Sequence, residues 1–343
     1  MNSALLVLII GVGLVVIYDF TNGFHDAADM IATAIASRSM MPVTAIVIVT
    51  IFTFLGPFIG GLAVADTIGQ FVNIKGVQVA IAQAIVFSAV LAAITYNLIT
   101  WYLGLPTSSS NSLTSGLVGA GLWTLGSSHI HWGMEALTEG HFEGFVKIIT
   151  GMFFSPLAGF IVGFLLIKFF LKIFKHLSTD TLPFFKFSQY LSVSWLAFSH
   201  GVNDAQKGMG LITMLLLASG KIHSFMVQDW TILLCASAIT SGTLFGGWNI
   251  IKTVGYDIYR VKIIHSLADQ IGSAMVILGS AFVGAPTSTT QVVTTTLTGV
   301  GAGEHPHRVH WIKVKQIIAG WMFNIPISML LGAIYSYLLL KLL

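Results

Sequence analysis

The sequence predicts an all-α polytopic membrane protein built from two inverted-topology repeats of about five membrane segments each, with broken helices and re-entrant hairpins. Three observations carry that reading. The first is composition: of 343 residues, 55% are hydrophobic and only 8% charged, too little polar surface for a water-soluble domain. The second is the recurrence of long apolar stretches, among them Ala4 to Ile17, Val43 to Val64, Val77 to Leu103 and Phe153 to Phe170, suited to a hydrocarbon core of roughly 30 Å. The third is an internal duplication. Gly23-Phe24-His25-Asp26-Ala27 returns as Gly201-Val202-Asn203-Asp204-Ala205, and Pro106-Thr107-Ser108-Ser109-Ser110-Asn111 returns as Pro286-Thr287-Ser288-Thr289-Thr290-Gln291. Between them, Gly56 with Gly60-Gly61 is echoed by Gly242 with Gly246-Gly247.

Taken in order, the first half is expected to hold segments near 4–36, 43–65, 77–103, 105–125 and 147–167, and the second to repeat them from 188 onward. The boundaries drawn are 1–177 for the first repeat, 178–187 for a short cytoplasmic linker and 188–343 for the second repeat. The first helix is expected to stay in the protein, since no basic run or small-residue cleavage site accompanies it. Segments 105–125 and 285–303 are too polar for plain lipid-facing helices, and either crossings or re-entrant hairpins would account for them.

Loop charge sets the two halves in opposite senses, because Lys and Arg gather on the cytoplasmic side of short loops. Lys168, Lys172, Lys175 and Lys186 place the central linker inside, whereas Glu135, Glu139 and Glu143 with no Lys or Arg place Gly126 to Val146 outside. The counterpart around Glu304 to Lys315 carries Arg308, Lys313 and Lys315 and reads as inside. Lys252 to Lys262 is likewise basic where Asp66 to Lys75 is charge-poor. Equivalent loops thus fall on opposite sides, which requires an odd number of crossings per half. Trp101, Trp123, Trp311 and Trp321 are expected at the membrane interfaces.

Charge within a membrane segment costs at least about 2.5 kcal/mol for an acid on insertion scales, so Asp26 and Asp204, at matching places in the repeat, need a reason. Thr21-Asn22-Gly23 is a poor run for a continuous helix, which predicts breaks where freed carbonyls and a carboxylate hold a cation. The bland alternative is that both acids only pin the breaks. Pro-Thr-Ser-Ser-Ser and Pro-Thr-Ser-Thr-Thr read as helix starts, with Pro in the first turn and hydroxyls capping free N–H groups. Such ends offer N–H donors and partial positive charge to a tetrahedral oxyanion, although Ser and Thr also serve plain helix packing. An anion site with few fixed cations beside two carboxylates would need cations or protons to fill.

Weaker candidates surround these. His25 could titrate near neutrality or act as a neutral hydrogen-bonding group. Asp29 adds a third carboxylate one turn on from Asp26, His200 reads as structural, and Lys207 could neutralise the anion or pair with Asp204. His129, His131 and His141 have irregular spacing for a metal site, so a solvated loop is the preferred reading. Cys235 stands alone, which excludes an internal disulfide framework. The net charge of +3 is small and scattered, so nucleic acid is not an expected partner.

At these residues the sequence resembles the inorganic phosphate transporter (Pit) family. The match lies in Asn22-Gly23-Phe24-His25-Asp26-Ala27-Ala28, Ser199 to Lys207, Gly104 to Ser110, Gly246-Gly247-Trp248 with Lys252-Thr253-Val254-Gly255, and Pro286 to Thr290. The resemblance implies a phosphate importer coupled to sodium or protons, with inverted repeats, two hairpins and a homodimeric assembly in the cell membrane. It implies no cofactor. Carried over by position, Thr107, Ser108, Ser109, Ser110, Thr287, Ser288, Thr289 and Thr290 would surround phosphate. Asn22, His25, Asp26, Asp29, Asn203 and Asp204 would serve the coupling ion, with Asp26 and Asp204 as ligands if that ion is sodium. His25 and Asp29 depart from the Asn found in many sodium-coupled relatives and tilt the expectation towards protons, with carriage of a metal–phosphate complex as a further expectation. A sulfate permease and a passive anion channel are the rival functions. A membrane enzyme is disfavoured, as no nucleophile–base pair, ligand set or phosphate loop is readable.

Overall fold

The computed structural model describes residues 3–176, 181–245 and 248–342. Its helices are α1 Ser3–Ala36, α2 Pro42–Ile59, α3 Ala63–Gln70, α4 Val79–Tyr102, α5 Ser109–Thr124, α6 Met134–Thr138, α7 Gly144–Ile173, α8 Leu182–Ala218, α9 Asp229–Thr243, α10 Trp248–Lys252, α11 Ile263–Phe282, α12 Thr289–Glu304 and α13 Trp311–Leu342. Six of them, α1, α2, α4, α7, α11 and α13, are long and apolar enough to cross a membrane. Helices α5 and α12 have 16 residues each, about 24 Å at 1.5 Å per residue, short of a full crossing. Most of their residues are buried, and each packs back on the helix before it, α5 on α4 and α12 on α11. The polar segments are therefore the inner arms of two helical hairpins.

The halves interlock. Helix α5 packs on α13 and its counterpart α12 on α7; α2 packs on α8 and its counterpart α9 on α1. Glycines set these contacts, because only a missing Cβ lets two backbones approach so closely. A Cβ on Gly119 would strike the Met329 carbonyl, and one on Gly299 the Phe160 carbonyl. The same duplication joins Gly242 to Phe20 O and Gly56 to Phe198 O.

Helices α1 and α8 cross antiparallel at the centre. Gly11 lies against Leu215, Asn22 bonds Asp204, and Asp26 clusters with His200, so residue numbers rise along one helix as they fall along the other. Both run without interruption through their motifs, which corrects the expectation of broken helices. Gly23 and Gly201 are there for packing: a Cβ on Gly23 would meet Ile239 O, and one on Gly201 would meet Thr53 O. The irregular backbone instead precedes α5 and α12, in the hairpin tips.

Three other expectations change. Trp321 is only 6% exposed and its indole N–H donates to Pro106 O, so it fastens the first hairpin tip rather than anchoring an interface. Trp123 and Trp311 are exposed. Pro106 and Pro286 lie ahead of their helices rather than in the first turn, the N-caps being Ser108 and Ser288. Helix α8 already begins at Leu182, inside the stretch expected as linker, of which residues 178–180 lie outside the described residues, as do Gly246 and Gly247.

Candidate functional site

The two hairpin tips meet at the α1–α8 crossing. Capping fixes both helix starts identically: Ser108 Oγ accepts from Asn111 N at 3.0 Å and Ser288 Oγ accepts from Gln291 N at 3.3 Å. The next hydroxyls reach across the protein. Ser109 Oγ donates to Asn22 Oδ1, and Ser110 Oγ donates to Thr287 O at 2.8 Å, which joins tip to tip. In the other half, Thr289 Oγ1 lies 3.0 Å from His200 Nδ1. Thr290 Oγ1 donates to Asp26 Oδ1 at 3.0 Å and is 2.6 Å from Asp29 Oδ2. Thr107 Oγ1 is 2.7 Å from Thr100 Oγ1 within the first hairpin.

Lys207 resolves the choice left open by sequence. Its ammonium donates to Asp204 Oδ1 at 2.6 Å, to Ser110 Oγ and to Thr287 O at 3.2 Å. It thus neutralises Asp204 while standing between the two tips, so the centre holds a fixed cation that the sequence reading underweighted. Asn22 Nδ2 donates to Asp204 Oδ2 at 3.0 Å, and Asn203 Nδ2 donates to Asp204 Oδ1 and to Thr287 O. Asp204 is therefore held by groups from both halves.

Asp26 and Asp29 have no such ammonium. His25 Nδ1 lies 3.1 Å from Asp26 Oδ1, and ligand atoms of His25, Asp26 and Asp29 lie within 4.8 Å of one another, as do those of Asp26, His200 and Asp204. Both groups are buried. Carboxylate oxygens with imidazole nitrogen form a set able to hold a proton or a small cation. All eight Ser and Thr positions and all six coupling positions expected from sequence are buried in this one region. Ser108 and Ser288 are committed to capping, leaving Ser110 and Thr290 as the hydroxyls that bridge the repeats, Ser109 and Thr289 bonded to Asn22 and His200 within their own repeats, and Thr287 contributing its carbonyl while its buried hydroxyl has no partner.

His129, His131 and His141 line a separate surface cavity of about 1050 Å³ beneath α6, together with Glu135, Glu139 and His223. Only a loose pair, His131 Nε2 to Glu143 Oε2 at 3.9 Å, forms there. That cavity is remote from the motif chemistry, in agreement with the solvated-loop reading.

Sequence reasoning passed over Asp19 and Asp269, both fully buried. Each is an acid within an apolar helix, the same signal that marked Asp26, but neither has a counterpart in the other repeat. Gln206 was also missed. Its Oε1 accepts from Val64 N at 2.8 Å and Ala65 N at 3.2 Å, capping the start of α3 from α8.

The fold and this buried polar centre define a multi-pass helical membrane protein. Its sequence matches the model of the phosphate transporter family over residues 22–332. It is 35% identical over 327 residues to the "Probable low-affinity inorganic phosphate transporter" of Bacillus subtilis (strain 168), covering 94% of each chain. A protein of the same description from Rhizobium meliloti (strain 1021) is 35% identical over 332 residues, again with 94% of each chain covered. The chain belongs to the phosphate transporter family, whose matched relatives are named as transporters and not as enzymes. The solved structure described as "The sodium-dependent phosphate transporter" shares the fold, with a TM-score of 0.84 over 98% of this chain and 100% of that one at 23% identity.

Proposed function

We propose that the protein is a symporter that imports inorganic phosphate together with a cation, with protons favoured over sodium, by alternating access around the crossing of α1 and α8. The observation that carries this reading is the meeting of two capped, hydroxyl-rich helix starts around Lys207, opposite the Asp26–Asp29 pair. Helix starts and an ammonium attract the anion. The carboxylates repel it until protons or cations neutralise them, so the anion and its counter-ion enter together.

The same carboxylates favour phosphate over sulfate. Near neutral pH phosphate still carries an O–H that can donate to a carboxylate, whereas sulfate brings only acceptors to face Asp26 and Asp29. His25 Nδ1, 3.1 Å from Asp26 Oδ1, offers a nitrogen that can share a proton with the carboxylate, which supports protons as the coupling ion. The family resemblance also implies a homodimer, to be checked by cross-linking in membranes.

Phosphate uptake by the full chain in proteoliposomes, with sodium and proton gradients imposed separately, tests this reading. Uptake should follow the proton gradient and be inhibited by arsenate but not by sulfate. Flux that ignores both gradients would make the protein a channel, and potent competition by sulfate alone would make it a sulfate permease.

A further inference from the structure

We propose that Trp321 and Asn324 of α13 are positioning residues for the anion site: they hold the first hairpin tip in its binding shape before an anion arrives, whereas the second tip, which lacks this clamp, is ordered by the anion itself. This rests on the reading of the two tips as the phosphate site. The Trp321 indole N–H donates to Pro106 O at 2.9 Å, and Asn324 Nδ2 donates to Ser108 O at 2.8 Å. Ser112, in the first turn of α5, donates to Asn324 Oδ1 at 3.0 Å, and Ser328 donates to the same oxygen at 2.9 Å. The amide is thus fixed at both ends, and the backbone on either side of Thr107 is fixed with it. These side chains are buried, where a broken hydrogen bond finds no water to replace it.

The matching place in the other half is apolar. Helices α7 and α13 present equivalent faces: a Cβ on Gly163 would strike Thr296 O of α12, and one on Gly332 would strike Gly116 O of α5, places that correspond when the N-caps Ser108 and Ser288 are aligned. Counted back from these glycines, Met152 stands for Trp321 and Ser155 for Asn324. All four are buried. Met152 has no N–H to give, and the Ser155 hydroxyl has no hydrogen-bond partner. On α12, buried Val292 stands where α5 has Ser112.

The two turns are otherwise strapped alike, Thr253 Oγ1 donating to Gly104 O at 3.0 Å and Thr67 Oγ1 to Gly284 O at 2.7 Å. Beyond that strap, the second tip is held by the centre. Thr287 O accepts from Ser110, Asn203 and Lys207, and Thr290 donates to Asp26 and Asp29. These are the groups that a substrate entering the centre must rearrange, whereas the α13 bonds lie behind the first tip. When the Ser110–Thr287 joint between the tips parts, the first keeps its shape on α13 and the second loses what orders it.

Amide hydrogen exchange of the full chain in detergent, read over residues 103–108 and 283–288, tests this without any variant. In the absence of phosphate the second tip should exchange faster by roughly tenfold or more, the scale of the two extra hydrogen bonds, and inorganic phosphate should slow the second tip far more than the first. Asn324→Ser and Trp321→Phe should speed exchange at the first tip and raise the phosphate KM in proteoliposomes by roughly tenfold, with maximal uptake per folded protein close to wild type. A purely structural role would lower the folded fraction and leave KM in place. Met152→Leu and Ser155→Ala, at the matching positions, should change neither KM nor exchange at the tips. Equal exchange at the two wild-type tips without phosphate would overturn the proposal, as would an unchanged KM in the α13 variants. Failure of the wild type to take up phosphate would instead overturn the phosphate reading, and with it the role of the clamp, however unequally the tips exchange.

Discussion

Asp204 and Asp26 sit in the same buried centre with different partners. Asp204 is held by an ammonium and two amides, whereas Asp26 has Thr290 and His25 alone. Asp204→Asn strands the Lys207 charge in the interior, and breaking a buried pair from one side costs about 3–5 kcal/mol. Asp26→Asn leaves no stranded ammonium and should cost about 1 kcal/mol or less. Both variants should lose coupled phosphate uptake, but only Asp204→Asn should show a large fall in the melting temperature of the purified protein. Equal destabilisation by the two would mean that Lys207 is not the partner that matters. The motifs holding these acids were legible because duplication marks them. The service of Lys207 to both hairpin tips was not, since Ser110 and Thr287 reach it only through the crossing of separate helices.

At the scale of elements, glycine was the residue most easily misread. Gly23 beside Asn22 suggests a helix break, yet α1 is continuous and the glycine admits the α9 backbone; sequence alone cannot separate these uses, because both require a missing Cβ. The bases of the two hairpins show a further contrast. Backbone bonds tie the first, His131 N to Phe71 O at 2.7 Å and Asn73 N to His129 O at 2.7 Å. At the second, one backbone bond, His310 N to Ile258 O at 3.0 Å, is joined by side chains: Glu304 accepts from the Tyr259 hydroxyl at 2.7 Å and pairs with Lys262 at 3.2 Å and His265 at 2.7 Å. Burial pushes the Glu304 carboxyl up, but Tyr259, His265 and Lys262 together outweigh it and hold the group down at about 2 from an ordinary 4.5. A depressed carboxyl stabilises the fold above its unfolded value and loses that contribution as pH falls through the folded one, so this tie weakens between 4.5 and about 2. Glu304→Gln should lower the melting temperature at neutral pH by about 2–4 °C, and the wild type should converge on it as the pH is brought down through that window. A constant gap between the two across the window would show that the carboxylate charge contributes nothing.

For the whole molecule, the hairpin bases lie at opposite ends of the long α1–α8 pair. The second base adjoins the α8 start, where Gln189 Nε2 donates to Ile263 O at 3.0 Å, and the α1 end, where Gly255 packs on Ala32. The first adjoins the α8 end: the cavity beneath α6 is lined by Val72 and His131 together with Leu217 and Phe225. The loop at the first base is acidic and that at the second basic, so the inverted-repeat reading assigns the first to the outside and the second to the cytoplasm. Two hairpins with bases at opposite ends of the α1–α8 pair and tips joined at Ser110 and Thr287 would, under the proposed alternating access, let the centre open to one side by parting one hairpin while the other stays closed. This arrangement makes equivalent positions report opposite faces. Single cysteines at Ser128 and His307, in a background where buried Cys235 is replaced, should differ in intact cells: Ser128→Cys should react with a membrane-impermeant maleimide, and His307→Cys only after the membrane is opened. If both react from the same side, the repeats are not inverted across the bilayer, and an alternating mechanism that exchanges the roles of the two hairpins loses its geometric basis.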